Sequence, residues 1–434
     1  MHDVKTGPAV HPSRAAADDL EWWQDARVGL FIHFGVASVV GVDLSWGRAL
    51  PRPFDVQSQV HHPGEEPQSV PHEVYDDLFR RFDPARFDAR EWVAAAQRLG
   101  AGYIVMTAKH HDGFCLWDTS LTDYKLTSAE SPFGRDLIRE LADACHDQGM
   151  PLGLYYSQRD WHHPDYLQGD NQAYQRYMDG QLAELLSDYG RIHILWFDSY
   201  GESDLEQEWD PASTIALARE LQPGILINNR LAILDRYNQG PPEYWGDFDT
   251  PEQRLGDVQF DRPWESCITL DRLQWGWRAD GELLTVAECI RSVVTCATRG
   301  GNLLLNVGPD PAGVIEERVV DRLGEVGDWL RLYGESVYGT RGVPLGDTPW
   351  GGVTQNADAF FVHVLDWPAE GIRIPLDLGD VPDADVLTGG RVTIEPSEDD
   401  CRIEVPEPDR DSVDTIIRIP RSGRRSLQTE GDQE

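Results

Sequence analysis

The 434-residue sequence predicts an α/β protein: a (β/α) TIM-like barrel, regular or irregular, with an antiparallel β-sandwich at its C-terminal end. Three observations carry the prediction. Short apolar runs alternate with amphipathic helical patterns from Arg27 to Tyr333, the order expected of parallel strands joined by helices. No glycine-rich phosphate loop follows an early strand, which counts against a doubly wound sheet, the runner-up. After about residue 340 the helical period stops, and short alternating runs such as Ala359–Val364 and Thr415–Ile419 take over, separated by turns rich in Gly, Pro and Asp.

The elements follow in order. Residues 1–18 read as a polar lead. Arg27–Phe34 is the first strand and carries His33 near its end. Residues 43–75 hold many prolines, glycines and histidines without periodicity, a long loop of the kind that often carries function. Asp88 caps a helix over Ala89–Leu99 and Gly100 stops it. The strand Tyr103–Thr107 runs into Lys109-His110-His111-Asp112-Gly113-Phe114. A helix from Asp136 to Gln148 stops at Gly149, and the strand Pro151–Tyr156 follows. The helix Asp170–Tyr189 precedes an apolar strand, Ile192–Phe197, that ends at Asp198. Pro211 opens a helix to Leu221, and Ile225–Asn228 is a strand ending at Asn229-Arg230. A loop over 231–263, a strand at Trp264–Ile268, a helix at Val286–Thr298, a strand at Leu303–Val307 and a helix at Glu316–Tyr333 complete the series. The division expected is a lead (1–18), a barrel (19–339), a sandwich (340–421) and a disordered tail (422–434).

The charge balance excludes some partners. Acidic residues number 75 against 38 basic ones, for a net charge of −37, and only Lys5, Lys109 and Lys125 are lysines. Such a chain repels nucleic acid and anionic membranes. High acid with almost no lysine points to a salt-rich cytoplasm, where ions screen the self-repulsion; a GC-rich genome is the bland alternative. No apolar stretch is long enough to span a bilayer, and no basic start with an apolar region behind it marks a secretory signal. The six cysteines are scattered without a CxxC, as reduced core thiols of a cytoplasmic protein would be. Oligomeric state is not legible.

The candidate strand ends collect His33, His110, His111, Tyr155, Tyr156, Trp196, Asp198, Asn229 and Arg230. Any one of them could be structural, and Asp198 alone could cap a turn. A barrel brings such ends together, and there catalysis is carried. The adjacent histidines lack a ligand spacing, so no metal or other cofactor is expected. Fifteen tryptophans, among them Trp46, Trp196, Trp264, Trp275 and Trp277, suit sugar rings. Glycoside hydrolysis needs two carboxylates. Asp198 supplies one; Glu252 and Glu265 are both candidates for the other, and the residue pattern does not choose between them.

The segments Gly29 to Gly35, Lys109 to Phe114, Gly153 to Ser157, Trp196-Phe197-Asp198, Trp264-Glu265 with Trp275-Gly276-Trp277, and Gly300 to Pro309 resemble the α-L-fucosidases of glycoside hydrolase family 29. The resemblance runs in order across about residues 20–340. It implies a retaining exo-glycosidase that hydrolyses terminal α-L-fucosides without a metal. Asp198 matches the nucleophile, and the segment ending at Glu252 matches the stretch that carries the acid/base in many members. Phe31, His33, His110, His111, Tyr156, Trp196, Arg230 and Trp275 match the sugar pocket. Where the family often has a Glu-Trp pair, this chain has Ser45-Trp46, with Trp46 kept as a sugar-binding residue; Ser199 stands where glycine is common after the nucleophile. Loss of that glutamate bears on which sugar is taken, so an α-L-galactosidase or related glycosidase is the near alternative. A carbohydrate-binding protein with lost activity is another. The partner implied is a small carbohydrate.

Overall fold

The computed structural model describes residues 15–49, 69–166, 169–198, 210–231, 246–346, 348–369, 371–375, 384–397 and 400–421. The tail from residue 422, most of the lead, Ser199 and much of the two long loops lie outside the described residues. Seven parallel strands form one sheet: β1 (Val28–Ile32), β2 (Tyr103–Lys109), β3 (Leu152–Tyr156), β4 (Ile194–Phe197), β5 (Leu226–Ile227), β6 (Glu265–Thr269) and β7 (Asn302–Val307). Their spatial order is β5-β4-β3-β2-β1-β7-β6. That is the order of a (β/α) barrel opened between β5 and β6. Among the described residues no continuous ladder closes the ring; single parallel bridges, Asn228 to Phe248 and Asp249 to Trp264, step from one edge toward the other.

The helices are α1 (Ala17–Ala26), a short α2 (His72–Asp76), α3 (Ala89–Leu99), α4 (Leu137–Gln148), α5 (Asn171–Asp188), α6 (Pro211–Leu221), α7 (Val286–Thr298) and α8 (Glu317–Tyr333). Their ends follow local chemistry. The side chains of Asp88, Asp136, Asp170 and Asp210 accept backbone N–H groups at the starts of α3, α4, α5 and α6, and Thr285 and Glu288 form a capping box on α7. Gly100 and Gly149 end α3 and α4 in the left-handed conformation, at φ +83° and +66°.

Strand alternation sorts the core into two layers. Leu30, Ile32, Ile104, Met106, Leu152, Leu154, Tyr156, Leu195, Phe197, Leu303 and Leu305 face the helices. Phe31, Tyr103, Val105, Tyr155, Ile194, Trp196, Cys267 and Leu304 fill the interior of the curled sheet. Helix α1 begins inside the stretch expected to be a polar lead, and it plugs the N-terminal end of that interior. Trp23 joins the inner cluster with its ring 4.7 Å from Phe248, Trp22 stands edge-on to Tyr103, and Asn302 donates its Nδ2–H to the Trp23 carbonyl at 2.7 Å. The open end is therefore the C-terminal one.

Beyond α8 the chain turns to β-structure, as expected. A five-stranded antiparallel sheet contains β8 (Arg341–Gly342), β9 (Gly351–Gln355), β10 (Ala359–Val364), β12 (Asp385–Val386) and β15 (Thr415–Pro420). A three-stranded antiparallel sheet contains β11 (Ile372–Ile374), β13 (Thr393–Pro396) and β14 (Cys401–Glu404). Val353, Val362 and Ile417 from the first share one core with Ile372, Ile374 and Ile403 from the second.

Candidate active site

Asp198 follows β4 directly. Trp196 faces the interior and Phe197 the helices, so alternation returns Asp198 to the inside at the open end. The Asn228 side chain fixes this point of the strand by accepting the Phe197 N–H at 2.8 Å and donating to the Phe197 carbonyl at 2.9 Å. Each Asp198 oxygen has a donor. Arg230 Nη1 reaches Oδ1 at 2.8 Å and the Tyr155 hydroxyl donates to Oδ2 at 2.8 Å, with His111 Nε2 3.7 Å away.

The same Arg230 nitrogen donates to Glu252 Oε2 at 2.8 Å. Glu252 is carried by the segment that steps between the sheet edges, where it bridges to Cys267. Gly246 starts this segment at φ +124°, and a side chain there would strike the Asn228 carbonyl, so glycine is required. Arg230 itself is locked: its Nε donates to Thr250 Oγ1 at 2.7 Å, its Nη2 to the Thr250 carbonyl at 2.9 Å, and its guanidinium lies 4.5 Å over the Trp196 ring.

The two carboxyls are pushed apart. Burial works against the Asp198 anion, yet the charges of Arg230 and Arg159 outweigh it and hold the group below the usual carboxylate range. Burial, joined by the negative charge of Asp198, raises Glu252 above its ordinary value despite Arg230. Two neighbouring acids driven in opposite directions is the pattern of a nucleophile beside a proton donor.

Around the pair stand aromatic and imidazole rings. Phe31 lies 5.2 Å from Trp196 and 6.2 Å from Trp275, and Trp275 lies 5.0 Å from His33. Burial lowers His33 to about 4, so it is a neutral ring. Its Nδ1 meets Asn306 Oδ1 at 2.6 Å, while Asn306 Nδ2 donates to the Trp275 carbonyl, so the amide oxygen faces the histidine and Nδ1 carries the proton. Nε2 is then an acceptor, suited to a hydroxyl. Burial, with help from His33, drives His110 well below its ordinary value. His110 Nδ1 is bonded to Ser45, whose side chain is wholly buried. His111 Nδ1 meets Ser157 Oγ at 2.6 Å. Trp46 stands 5.1 Å from His111 at the edge of this cluster, with Trp161 at 5.5 Å.

His110, His111 and Asp198 each present one ligand atom within 4.8 Å of the others, the one group among the described residues with metal-like spacing. Arg230 already occupies one Asp198 oxygen, and Arg159 adds a second positive field. A neutral polyol fits that donor set better than a cation does.

The structure brings Phe31, His33, Trp46, His110, His111, Trp196, Asp198, Arg230, Glu252 and Trp275 together, and it corrects two expectations. Tyr156 is not in the cluster. It faces the helices, donates to Gln181 at 2.6 Å and lies under Lys109 at 4.3 Å. Tyr155 takes its place, stacked on His110 and beside Trp196. Strand parity shared with Gly153, Phe31 and Trp196 is the signal that picks it. Glu265 is at the wrong end. As the first residue of β6 it is wholly buried, bonded by the Tyr103 hydroxyl and by Trp196 Nε1 at 3.2 Å. Arg159 and Thr250 were not singled out by the sequence; no motif marks them.

Residues 8–335 match the α-L-fucosidase family model. The chain belongs to the α-L-fucosidase family. It is 30% identical over 336 residues to rat plasma α-L-fucosidase, spanning 74% of this chain and 70% of that protein. It is 30% identical over 370 residues to an α-L-fucosidase of Branchiostoma floridae, covering 81% and 80% of the two chains. Among solved structures, α-L-fucosidase isoenzyme 1 from Paenibacillus thiaminolyticus superposes with a TM-score of 0.77 at 35% identity, over 93% of this chain and 99% of that one. A Bacteroides thetaiotaomicron α-L-fucosidase, solved as a trapped covalent intermediate with 2-fluoro-fucosyl fluoride, gives 0.79 at 26% identity, over 94% and 97%. The α-L-fucosidase family match thus reaches across β1 to α8, the elements that carry the site.

Proposed function

We propose that the protein is a retaining exo-α-L-fucosidase in which Asp198 is the nucleophile and Glu252 the acid/base. One observation carries this: a single Arg230 nitrogen bonds both carboxylates at 2.8 Å. Those two oxygens are therefore at most about 5.6 Å apart, close to the roughly 5–5.5 Å spacing of the carboxyl pair in retaining enzymes. Asp198 attacks the anomeric carbon while Glu252 gives its proton to the leaving oxygen, and the glycosidic C–O bond breaks. Water then attacks the glycosyl-enzyme, Glu252 takes its proton, and Asp198 is released.

The remaining residues support substrate binding. Phe31, Trp196 and Trp275 offer apolar faces, and His33, His110, His111 and Tyr155 offer hydrogen bonds; Trp46 closes one side. No metal or other cofactor enters the mechanism. The charge of −37 argues against nucleic acid as a partner. No helix among the described residues is long and apolar enough to cross a membrane. All six cysteines are free and buried, which supports a reducing compartment, the cytoplasm, and the acidic, lysine-poor composition supports a salt-adapted cell. The test is hydrolysis of nitrophenyl α-L-fucoside followed by NMR. The first-formed sugar should be the α-anomer, and activity should survive excess chelator. A first-formed β-anomer would defeat the retaining mechanism, and turnover of other glycosides but not this one would defeat the substrate.

A further inference from the structure

We propose that Glu265 is a positioning residue for the catalytic pair, acting through the indole N–H of Trp196 and, beyond it, through the guanidinium of Arg230; this rests on the fucosidase reading above. A carboxyl wholly removed from solvent is costly, and an apolar side chain of that size would fill the space at less cost. Here its two oxygens are used separately. Tyr103 donates to Oε2 from the plugged end, and Trp196 Nε1 donates to Oε1 at 3.2 Å from the side of the site.

Trp196 is the part of the wall on which the catalytic donors rest. Arg230 lies 4.5 Å over its ring, and the same guanidinium bonds Asp198 and Glu252. Tyr155, whose hydroxyl holds the other Asp198 oxygen, stacks along it at 5.5 Å and 20°. Rotation of the indole would therefore move both donors of Asp198 at once. The bond to Glu265 fixes that rotation. An acceptor on the indole N–H also enriches the ring face in electrons, which tightens its hold on the guanidinium above. Glu265 itself reaches no substrate, because it is closed off between Tyr103 and Trp196.

A double-mutant cycle on the full chain tests this, with nitrophenyl α-L-fucoside as substrate and rates corrected for the folded fraction by circular dichroism. Assayed above pH 7, where the wild-type group is the carboxylate, Glu265→Gln keeps the size and weakens the acceptor. It should lower kcat about tenfold and change KM less than about threefold, since misplaced carboxylates penalise the chemical step more than binding. In a Trp196→Phe background, which has no N–H to hold, adding Glu265→Gln should change kcat less than about twofold. Equal losses in both backgrounds, or a Glu265→Gln enzyme with wild-type kcat, would overturn the proposal. So would a loss confined to poor leaving groups, which would make Glu265 the acid. If Glu265→Gln does not fold, Tyr103→Phe, which frees one end of the carboxyl, replaces it in both backgrounds. A fall in kcat with KM held supports the proposal, and a wild-type kcat overturns it. Were the enzyme to prefer a different α-L-glycoside, the cycle is read on that substrate, so the sugar assignment and the role of Glu265 stand or fall separately.

Discussion

The two ends of the barrel interior hold carboxyl groups in opposite circumstances. At the C-terminal end Asp198 and Glu252 keep 19% and 30% of their side chains exposed and share one Arg230 nitrogen. At the N-terminal end Glu265 is fully buried between Tyr103 and Trp196, under the plug formed by α1. The functional group is the same and the consequences differ. A carboxyl that a ligand can approach, with a neighbour pushing its proton affinity the other way, can exchange protons or attack a carbon. One enclosed by hydrogen-bond donors can only hold its donors in place.

The sharpest way to break the comparison is to remove the proposed nucleophile. Asp198→Gly should lower kcat by roughly 10⁴-fold or more. Added azide should restore part of the rate and give a glycosyl azide of inverted configuration, because one displacement replaces two. Substantial residual activity, or an azide product of retained configuration, would remove Asp198 from that role.

Next comes the acid. Glu252→Ala should slow substrates with poor leaving groups by about 10²–10⁴-fold and activated nitrophenyl fucoside much less. Azide should rescue it with retained configuration. In the wild type, activity should fall on the acid side only below the usual carboxylate range, as the depressed Asp198 takes up a proton, and on the alkaline side as the raised Glu252 loses one. Glu252→Gln should abolish the alkaline limb. If the limb persists there and disappears in a Glu265 variant, the two ends have been assigned the wrong way round.

At the closed end the expected effect is on stability. Burial raises Glu265 to about 7. An unfolded glutamate titrates near about 4.3. The folded protein thus keeps a proton that the unfolded chain gives up. This contribution is fully present below pH 4 and is lost as pH rises to about 7, by on the order of 3 kcal/mol. Thermal melts of wild type and Glu265→Gln at pH 5 and pH 7 should show a steeper loss in the wild type. Parallel curves would mean that the group is not held in this state.

The smallest effect concerns salt. Molar potassium chloride should raise the melting temperature by a few degrees, about 1–2 kcal/mol, by screening the −37 charge. It should leave the two activity limbs nearly in place, because buried pairs are screened less than exposed ones. Equal melts in dilute and molar salt would end the halophile proposal.

The sequence made the strand–helix series legible because each element carries its own period and its own stops. Helices α3, α6 and α7 fall where caps, Pro211 and glycine signals put them. Helix α1 was hidden, since its polar residues and two tryptophans give no clean stripe until the tryptophans meet the barrel floor. In the site, His33, His110, His111, Asp198 and Arg230 were legible as charged or polar residues that end apolar strands. The residue pattern offers both Tyr155 and Tyr156 at the strand end and the family resemblance points to Tyr156; only pairing with Trp196 across β3 and β4 fixes Tyr155 as the one that faces inward.

The choice between Glu252 and Glu265 shows the division most plainly. The chain by itself determined that a carboxylate follows β4, that two further acids lie near the next strands, and that the family's motifs run through them, because those are properties of order along the backbone. Which acid stands beside Asp198 is decided only in three dimensions. The sheet curls so that the loop carrying Glu252 crosses between its edges to Arg230, while the pleat turns Glu265 inward at the far end of β6. Exposure and proton affinity depend on what surrounds a group through space, and residues such as Tyr103 and Arg230 are distant in sequence from the carboxyls they control.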